Sequence, residues 1–140
     1  MSYIDTSVLA AYYCPEKLSS AAQKAILNTS EPVISPLVEV EFQSAVAAKV
    51  RMGEITREDA VKITGMLKKH IENGSYRIVQ IESAEYALAE NWIGEYSTPL
   101  RALDALHLAA ALTNGLAIMT ADKSLAKSAK HFKVQYKFIS

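Results

Sequence analysis

Residues 100–123, LRALDALHLAAALTNGLAIMTADK, combine a helix, a tight turn and a strand in one short stretch. Thr98 and Pro99 just before it predict an N-cap followed by proline at the first helical position, and Asn114-Gly115 predicts the end of the helix. The residues between these signals are apolar on every side, which is typical of a helix buried in a core. The apolar run after the glycine is typical of a buried parallel strand.

Two aspartates interrupt this apolar stretch. Asp104 lies within the helical pattern, and Asp122 follows the strand. A buried carboxylate is costly unless cations or hydrogen-bond donors meet it. One interpretation makes Asp104 a first-turn residue favoured by the helix dipole, if the helix begins near Arg101, and makes Asp122 the cap of the next helix. The other makes both aspartates members of a larger acidic site.

Length and composition fit a single domain, residues 1–140, with a substantial core. Half of the residues are apolar, and Lys plus Arg equal Asp plus Glu at 15 each. This balance argues against a protein that coats nucleic acid or an anionic membrane through bulk positive charge. A single cysteine cannot form an internal disulfide, and three scattered histidines give no zinc spacing. We expect a cytoplasmic protein without a membrane span, because no apolar run approaches the ~20 residues that a span needs.

The rest of the chain alternates short apolar strands with helices. Besides the strand at 116–119, strands are predicted at residues 2–4, 33–34, 77–81 and 134–139. Helix start signals stand at Asp5-Thr6, Ser19, Ser35-Pro36, Thr56, Ser83 and Asp122. Repeated strand–helix units specify an α/β domain with right-handed crossovers. We therefore predict a central, mostly parallel sheet of four to five strands surrounded by helices.

Acidic residues are expected to converge at one edge of this sheet. Functional groups in such sheets collect beyond the carboxyl ends of the strands. Asp5 and Asp122 directly follow strands, and the helices that hold Glu41 and Asp104 start at the same edge. At about 100° per residue, Glu41 lies on a helix face of mostly small residues, which favours it over Glu39 as the buried carboxylate. The alternative is that both glutamates are ordinary surface charges.

Four close carboxylates predict a metal site. Close like charges raise one another's pKa and titrate together, and a divalent cation removes this repulsion. All-oxygen ligands without a thiolate or an imidazole set suit Mg²⁺ or Mn²⁺ rather than Zn²⁺. A metal held in this way can bind a phosphate oxygen, generate hydroxide from water and stabilise a departing alkoxide. The pattern therefore indicates metal-dependent hydrolysis of a phosphodiester.

Four segments of the sequence are similar to motifs of a known family. They are YIDTS at 3–7, SPLVEVEF at 35–42, LDALHLA at 103–109 and MTAD at 119–122. Together they resemble the PIN domain and, more narrowly, the VapC toxins of prokaryotic toxin-antitoxin pairs. No single segment is specific, but the four occur in order at these spacings, and the likeness covers essentially the whole chain. It implies a PIN-like three-layer α/β/α nuclease domain over residues 1–140.

The resemblance also implies roles and partners. It implies catalysis and metal binding by Asp5, Glu41, Asp104 and Asp122, with supporting hydroxyls from Thr6 and Thr120. It implies an endoribonuclease toxin that uses Mg²⁺ or Mn²⁺, acts on an RNA substrate, forms a homodimer, and is wrapped and blocked by a cognate antitoxin protein. The alternative is a catalytically silent PIN-like module for RNA binding or protein interaction, in which the acids only organise loops.

Three other residues near the predicted edge have two interpretations each. Arg101 and Lys123 are candidates for holding substrate phosphates through charge-assisted hydrogen bonds, or they are plain surface charges. His107, one turn after Asp104, either orients a ligand of the site or is a core histidine whose hydrogen bonds are satisfied. The intact acidic set favours an enzyme over a silent module.

Overall fold

Five short strands, all parallel, form the central sheet of the protein, which a computed structural model describes from residue 1 to residue 140. In chain order they are β1 (Ser2–Ile4), β2 (Pro32–Ile34), β3 (Arg77–Ile78), β4 (Ala117–Thr120) and β5 (Tyr136–Phe138). Their order in the sheet is β3-β2-β1-β4-β5. The predicted α/β fold with a mostly parallel sheet is confirmed, because all four strand pairs are parallel.

Seven helices connect and flank the strands. They are α1 (Thr6–Tyr13), α2 (Ser19–Leu27), α3 (Pro36–Arg51), α4 (Arg57–Glu72), α5 (Ser83–Ile93), α6 (Ala102–Thr113) and α7 (Lys123–His131). Local chemistry starts and stops them as expected: Thr56 caps α4 by accepting the Asp59 N–H at 3.1 Å, and Gly115 with φ +66° follows α6. None of these helices is both long and apolar enough to cross a membrane.

The strand order reverses between β1 and β4. The chain moves from β1 to β2 and β3 on one side and then returns to fill the other side with β4 and β5. Ligand sites in open α/β sheets form where the strand order reverses in this way, beyond the carboxyl ends of the strands. Ile4 pairs with Met119, so Asp5 follows β1 directly beside Thr120, the last residue of β4. We call this boundary of the sheet the carboxyl edge.

The core is built around the two central strands and α6. Tyr3, Ile4 and Met119 are fully buried, and every residue of α6 from Ala105 to Ala111 is buried. The prediction of a helix buried on every side is confirmed for this central part. Each fully buried large apolar side chain contributes about 1.5–3 kcal/mol, so this packing fixes the positions of the residues at the carboxyl edge.

The helix that carries Asp104 begins later than predicted. Thr98 and Pro99 do not start it; the Thr98 hydroxyl accepts the Leu100 N–H at 3.3 Å in a turn, and Arg101 is the N-cap. Leu100 is buried, and the turn that places it in the core delays the helix. Asp104 therefore lies in the first turn of α6, where the helix dipole favours a negative charge.

The two edge strands are shorter than the runs predicted at 77–81 and 134–139. β3 ends at Ile78 because its only neighbour, β2, ends at Ile34, the residue that pairs with Ile78. One further hydrogen bond, from the Val79 N–H to the Ile34 carbonyl at 3.0 Å, closes the contact before the chain leaves the sheet. A strand on the edge of a sheet is only as long as the partner that it pairs with.

The start of α5 also differs from the prediction by one residue. Ser83 is the first residue of the helix and not its cap. Glu82 is the N-cap: its side chain accepts a hydrogen bond from the helix backbone, and the Glu85 carboxylate accepts the Glu82 N–H at 2.7 Å. This capping box uses a glutamate where serine or threonine is usual, which is why the sequence pattern pointed to Ser83.

Candidate active site

Asp5 is held at the carboxyl edge by two hydroxyl groups. Its Oδ2 accepts hydrogen bonds from Ser7 Oγ at 2.7 Å and from Thr120 Oγ1 at 2.8 Å. Asp5 is only 5% exposed. Thr120 Oγ1 in turn accepts the Asp122 N–H at 3.0 Å, which links the ends of β1 and β4. The other carboxylate oxygen of Asp5, Oδ1, has no hydrogen-bond partner and is available to a ligand.

Asp122 caps α7, as one interpretation of the sequence predicted. Its Oδ1 accepts the N–H groups of Ser124 and Leu125 at 2.8 Å and 3.2 Å. This contact uses the first free donors of the helix and holds the side chain at the carboxyl edge. The second oxygen, Oδ2, has no partner, so the capping role leaves half of the carboxylate free.

Glu41 lies on α3 and meets donors from two other helices. Thr6 Oγ1 donates to Glu41 Oε1 at 2.8 Å, and His107 Nε2 makes a short hydrogen bond to the same oxygen. Burial acts to raise the pKa of Glu41, but the hydrogen bond and charge of His107, together with Thr6, hold that pKa below its ordinary value. Glu41 is therefore a carboxylate, with Oε2 free. Glu39 makes no side-chain hydrogen bond or ion pair.

Asp104 is the one carboxylate of the four that no hydrogen bond holds. Its pKa is raised to about 6, mainly by burial and next by the negative charges of Asp5 and Asp122. His107 opposes this increase, and Glu41 adds a smaller upward effect on the pKa of Asp104. Burial and the nearby negative charges therefore both favour the protonated form of Asp104.

The arrangement has the donor atoms for a divalent cation without a closed cage. Each of the four carboxylates has at least one oxygen that accepts no hydrogen bond, and hard cations such as Mg²⁺ and Mn²⁺ prefer such oxygens. However, no group of three or more histidine, cysteine, aspartate or glutamate side chains is close enough together to hold a metal ion as arranged. The donor set fits a hard cation in its chemistry but does not form a closed set of ligands.

The remaining predicted residues divide into two groups. Thr6 and Thr120 each donate a hydrogen bond to a carboxylate of the set, at 2.8 Å in both cases. Arg101 and Lys123 are exposed and form no ion pair. Arg101 lies three residues before Asp104 and Lys123 directly follows Asp122, but neither side chain is paired with a carboxylate.

Sequence reasoning missed the contribution of Ser7 and left two interpretations of His107 open. Ser7 donates to Asp5 and accepts the Ala121 N–H at 3.0 Å, and its only signal was its place two residues after Asp5. His107 is completely buried and hydrogen-bonds to both Tyr3 and Glu41. Both interpretations of His107 therefore describe it, since it is a satisfied core histidine that also contacts a carboxylate of the candidate site.

The comparison with protein families decides the classification. The family model described as PIN domain matches residues 2–131. The chain belongs to the PIN domain family. The parallel five-stranded sheet flanked by seven helices agrees with that fold. No curated protein sequence matches this chain.

Solved structures give the same fold at low sequence identity. FitAcB from Neisseria gonorrhoeae is 17% identical with a TM-score of 0.69, over 97% of this chain and 96% of that chain. A toxin-antitoxin complex from Klebsiella pneumoniae is 17% identical with a TM-score of 0.66, over 90% and 91% of the chains. VapC20 from Mycobacterium tuberculosis, described as a Sarcin-Ricin loop cleaving toxin, is 16% identical with a TM-score of 0.70, over 91% and 95%. These similarities support the PIN fold of this chain.

Proposed function

We propose that this PIN domain protein is a metal-dependent endoribonuclease and the toxin of a toxin-antitoxin pair. PIN domains are generally nucleases, and similar folds occur in a protein described as a Sarcin-Ricin loop cleaving toxin and in a toxin-antitoxin complex. The observation that carries the proposal is the contact network at the carboxyl edge, in which Thr120 joins Asp5 to the backbone of Asp122, and His107, one turn after Asp104, contacts Glu41. Such a group of carboxylates is stable when a cation neutralises it.

The four carboxylates are the ligands that we propose for Mg²⁺ or Mn²⁺. When bound, the cation supplies an activated water and stabilises charge on the phosphate during hydrolysis. Ser7 and Thr120 hold Asp5, Thr6 and His107 hold Glu41, and the first turn of α7 holds Asp122, so three of the four ligands are fixed before a cation arrives. Asp104 has no hydrogen bond to break, so it can turn toward the cation at the lowest cost.

The chain's own hydroxyls and cations complete the proposed machinery. Thr6 and Thr120 act as supporting groups because each donates to a carboxylate oxygen and leaves the second oxygen free. Arg101 and Lys123, both exposed beside the carboxyl edge, are proposed to attract the phosphates of the RNA. These two side chains are free to reach toward a substrate because no acidic group pairs with them.

Partners follow from the same proposal. A cognate antitoxin protein is expected to cover the carboxyl edge, and two copies of the chain are expected to form a homodimer in the cytoplasm. The support for an antitoxin is the fold shared with the toxin-antitoxin complex from Klebsiella pneumoniae. Growth arrest on expression of the chain alone, relieved by expression of the antitoxin, is the cellular result that we expect.

The test compares Asp104→Asn and Asp5→Asn with Asp59→Asn. Asp59 is an exposed aspartate on α4, so the same substitution there removes a charge far from the carboxyl edge. We expect cleavage of RNA in Mg²⁺ to fall at least about 100-fold in the first two variants, since a metal contributes several kcal/mol to such a reaction. Asp59→Asn should cleave like the wild type.

Chelation of the divalent metal tests the proposal independently of the variants. EDTA should abolish cleavage, and added Mg²⁺ or Mn²⁺ should restore it. Undiminished cleavage in excess chelator, or in Asp104→Asn, would contradict the proposal. RNA that binds to the wild-type protein but is never cleaved would favour the silent binding module instead.

A further inference from the structure

A chain of hydrogen bonds runs through the core to the candidate site. The hydroxyls of Ser35 and Tyr3 are 2.8 Å apart, and the Tyr3 hydroxyl lies 2.7 Å from His107 Nδ1. His107 Nε2 then contacts Glu41 Oε1. Ser35, Tyr3 and His107 have no solvent exposure, whereas the Glu41 side chain is 23% exposed. The chain therefore starts deep in the protein and ends on a carboxylate at the carboxyl edge.

The partners determine where the hydrogens lie. An ionised carboxylate only accepts hydrogen bonds, so His107 must donate from Nε2 to Glu41. The other nitrogen, Nδ1, accepts from the Tyr3 hydroxyl when the imidazole is neutral and donates to the Tyr3 oxygen when it is charged, and the Ser35 hydroxyl can serve as donor or acceptor to Tyr3 in either case. In both protonation states Nε2 donates to Glu41.

The fold alone does not require these polar groups. His107 lies on the buried face of α6, where its neighbours Leu106 and Leu108 are apolar, and a buried imidazole is costly without partners. Ser35 is the N-cap of α3, yet its side chain makes no capping hydrogen bond and contacts Tyr3 instead. An apolar residue would suit position 107, and a residue that caps the helix would suit position 35. Both positions instead carry a side chain that hydrogen-bonds to Tyr3.

We propose that Ser35, Tyr3 and His107 are positioning residues that orient Glu41 for a divalent cation, an inference that rests on the proposed function. Thr6 on α1 and His107 on α6 both donate to Oε1, so the flexible glutamate is fixed from two sides and Oε2 is left for the metal. Partners behind a metal ligand change metal affinity by roughly 10–100-fold when they are removed. The effect of His107 is expected in that range.

Two substitutions of His107 separate orientation from packing. In His107→Gln the amide nitrogen can reach the place of Nε2 and donate to Glu41. In His107→Asn the shorter amide reaches only the place of Nδ1, so it can contact Tyr3 but leaves Glu41 without that donor. Both variants bury a neutral amide in place of the ring, so their melting temperatures should fall by similar amounts.

The measurement is the dissociation constant of Mn²⁺ for the full chain, by electron paramagnetic resonance, together with the kcat and KM of RNA cleavage. We expect His107→Asn to bind Mn²⁺ about 10-fold more weakly or worse, with a lower kcat and a KM within about twofold of the wild type. His107→Gln should stay within about threefold of the wild type in all three values. Equal Mn²⁺ affinity in the two variants would overturn the positioning role.

The outcomes separate this inference from the proposed function. A wild-type protein that binds no Mn²⁺ would overturn both, whereas wild-type binding that His107→Asn leaves unchanged would overturn the positioning role alone. If His107→Asn does not fold, Tyr3→Phe tests the positioning role in its place, because it keeps the aromatic ring and removes only the hydroxyl. Tyr3→Phe is expected to weaken Mn²⁺ binding about threefold, and an unchanged affinity would count against the inference.

Discussion

The same arrangement of tyrosine, histidine and a second hydroxyl occurs twice, around Tyr3 of β1 and around Tyr13, the last residue of α1. Behind the carboxyl edge, the Tyr3 hydroxyl contacts His107 Nδ1 at 2.7 Å and the Ser35 hydroxyl at 2.8 Å. The Tyr13 hydroxyl contacts His70 Nδ1 at 2.6 Å and the Tyr76 hydroxyl at 2.8 Å. Tyr76 immediately precedes β3, so this second cluster lies at the amino edge of the sheet.

The two clusters differ in what the histidine meets on its far side. His107 is fully buried and its Nε2 donates to Glu41, whereas His70 is partly exposed and its Nε2 has no partner. The cluster at the amino edge joins α1 to α4 and supports the fold. The cluster at the carboxyl edge also orients a carboxylate. Identical local contacts therefore acquire a functional role only where the strand order brings them to the site.

The largest expected effect comes from the carboxylate at the end of the first cluster. Glu41→Gln should reduce RNA cleavage about 100-fold or more, because it removes a charged ligand while keeping the shape of the side chain. Glu39→Gln is the matched control, since Glu39 lies two residues away on α3 and contacts no donor. It should change kcat/KM less than about threefold. A greater loss of kcat/KM in Glu39→Gln than in Glu41→Gln would show that Glu39, and not Glu41, belongs to the site.

The next effect concerns stability and separates the clusters directly. Tyr3→Phe leaves the buried His107 Nδ1 without a partner, which costs about 1–3 kcal/mol of unfolding free energy. Tyr13→Phe should cost less than about 1 kcal/mol, because water can reach the partly exposed His70. Urea denaturation of both variants measures the difference. Equal losses would mean that burial does not distinguish the two clusters.

A smaller effect appears in the pH dependence of stability without metal. The pKa of Asp104 is about 6 in the folded protein, above the ordinary 3.8, so the fold binds this proton more tightly than the unfolded chain does. This contribution is fully present below about pH 4 and is lost as pH rises through about 6. At pH 8 the free energy of unfolding of Asp104→Asn should therefore exceed that of the wild type by about 1 kcal/mol after solvent screening. This difference raises the melting temperature by a few degrees.

The control for this pH effect is Asp59→Asn, whose aspartate is exposed on α4. Because Asp59 lies in the first turn of α4, Asp59→Asn should melt slightly lower than the wild type at pH 6 and 8 and should show no gain in melting temperature at any pH. At pH 4 the advantage of Asp104→Asn should disappear. Calorimetric scans in EDTA at pH 4, 6 and 8 provide the measurement. A difference in melting temperature between Asp104→Asn and the wild type that stays constant across this range would show that the pKa of Asp104 is not raised in the folded protein.

The smallest effect is expected from the exposed cations at the carboxyl edge. Arg101→Ala and Lys123→Ala should each raise the KM for RNA roughly two- to fivefold at low salt, and the difference should shrink as salt screens the charges. Lys62→Ala, which removes an exposed lysine from α4, should leave KM unchanged. If all three variants behave alike, Arg101 and Lys123 are plain surface charges.

Much of the fold was predictable because apolar residues recur with different periods in short strands and in helices. The positions of Asp5 and Asp122 were also predictable, since both follow strands that must end at one edge. Two boundaries were wrong because a tertiary contact overrides a local signal: the buried Leu100 delays α6, and the end of β2 shortens β3. The start of α5 was wrong because a glutamate is an unusual cap, and β5 is also shorter than predicted. Local signals do not report which neighbours a segment will have.

The hydrogen-bonded cluster behind Glu41 was not predictable for the same reason. Tyr3 lies 32 residues from Ser35 and 104 residues from His107. No periodic pattern joins positions so far apart, and their contact depends on β1 lying between β2 and β4. The signals that were available are a histidine on an apolar helix face and a serine at a helix start, each of which has a common explanation.

The most direct test is a crystal structure of the wild-type protein with Mn²⁺, using anomalous scattering to locate the ion. We predict a peak at the carboxyl edge that is ligated, directly or through water, by oxygens of Asp104 and at least two of Asp5, Glu41 and Asp122, with Glu41 binding through Oε2. A peak elsewhere, or a structure in which Asp104 still faces no cation, would contradict the shared metal site.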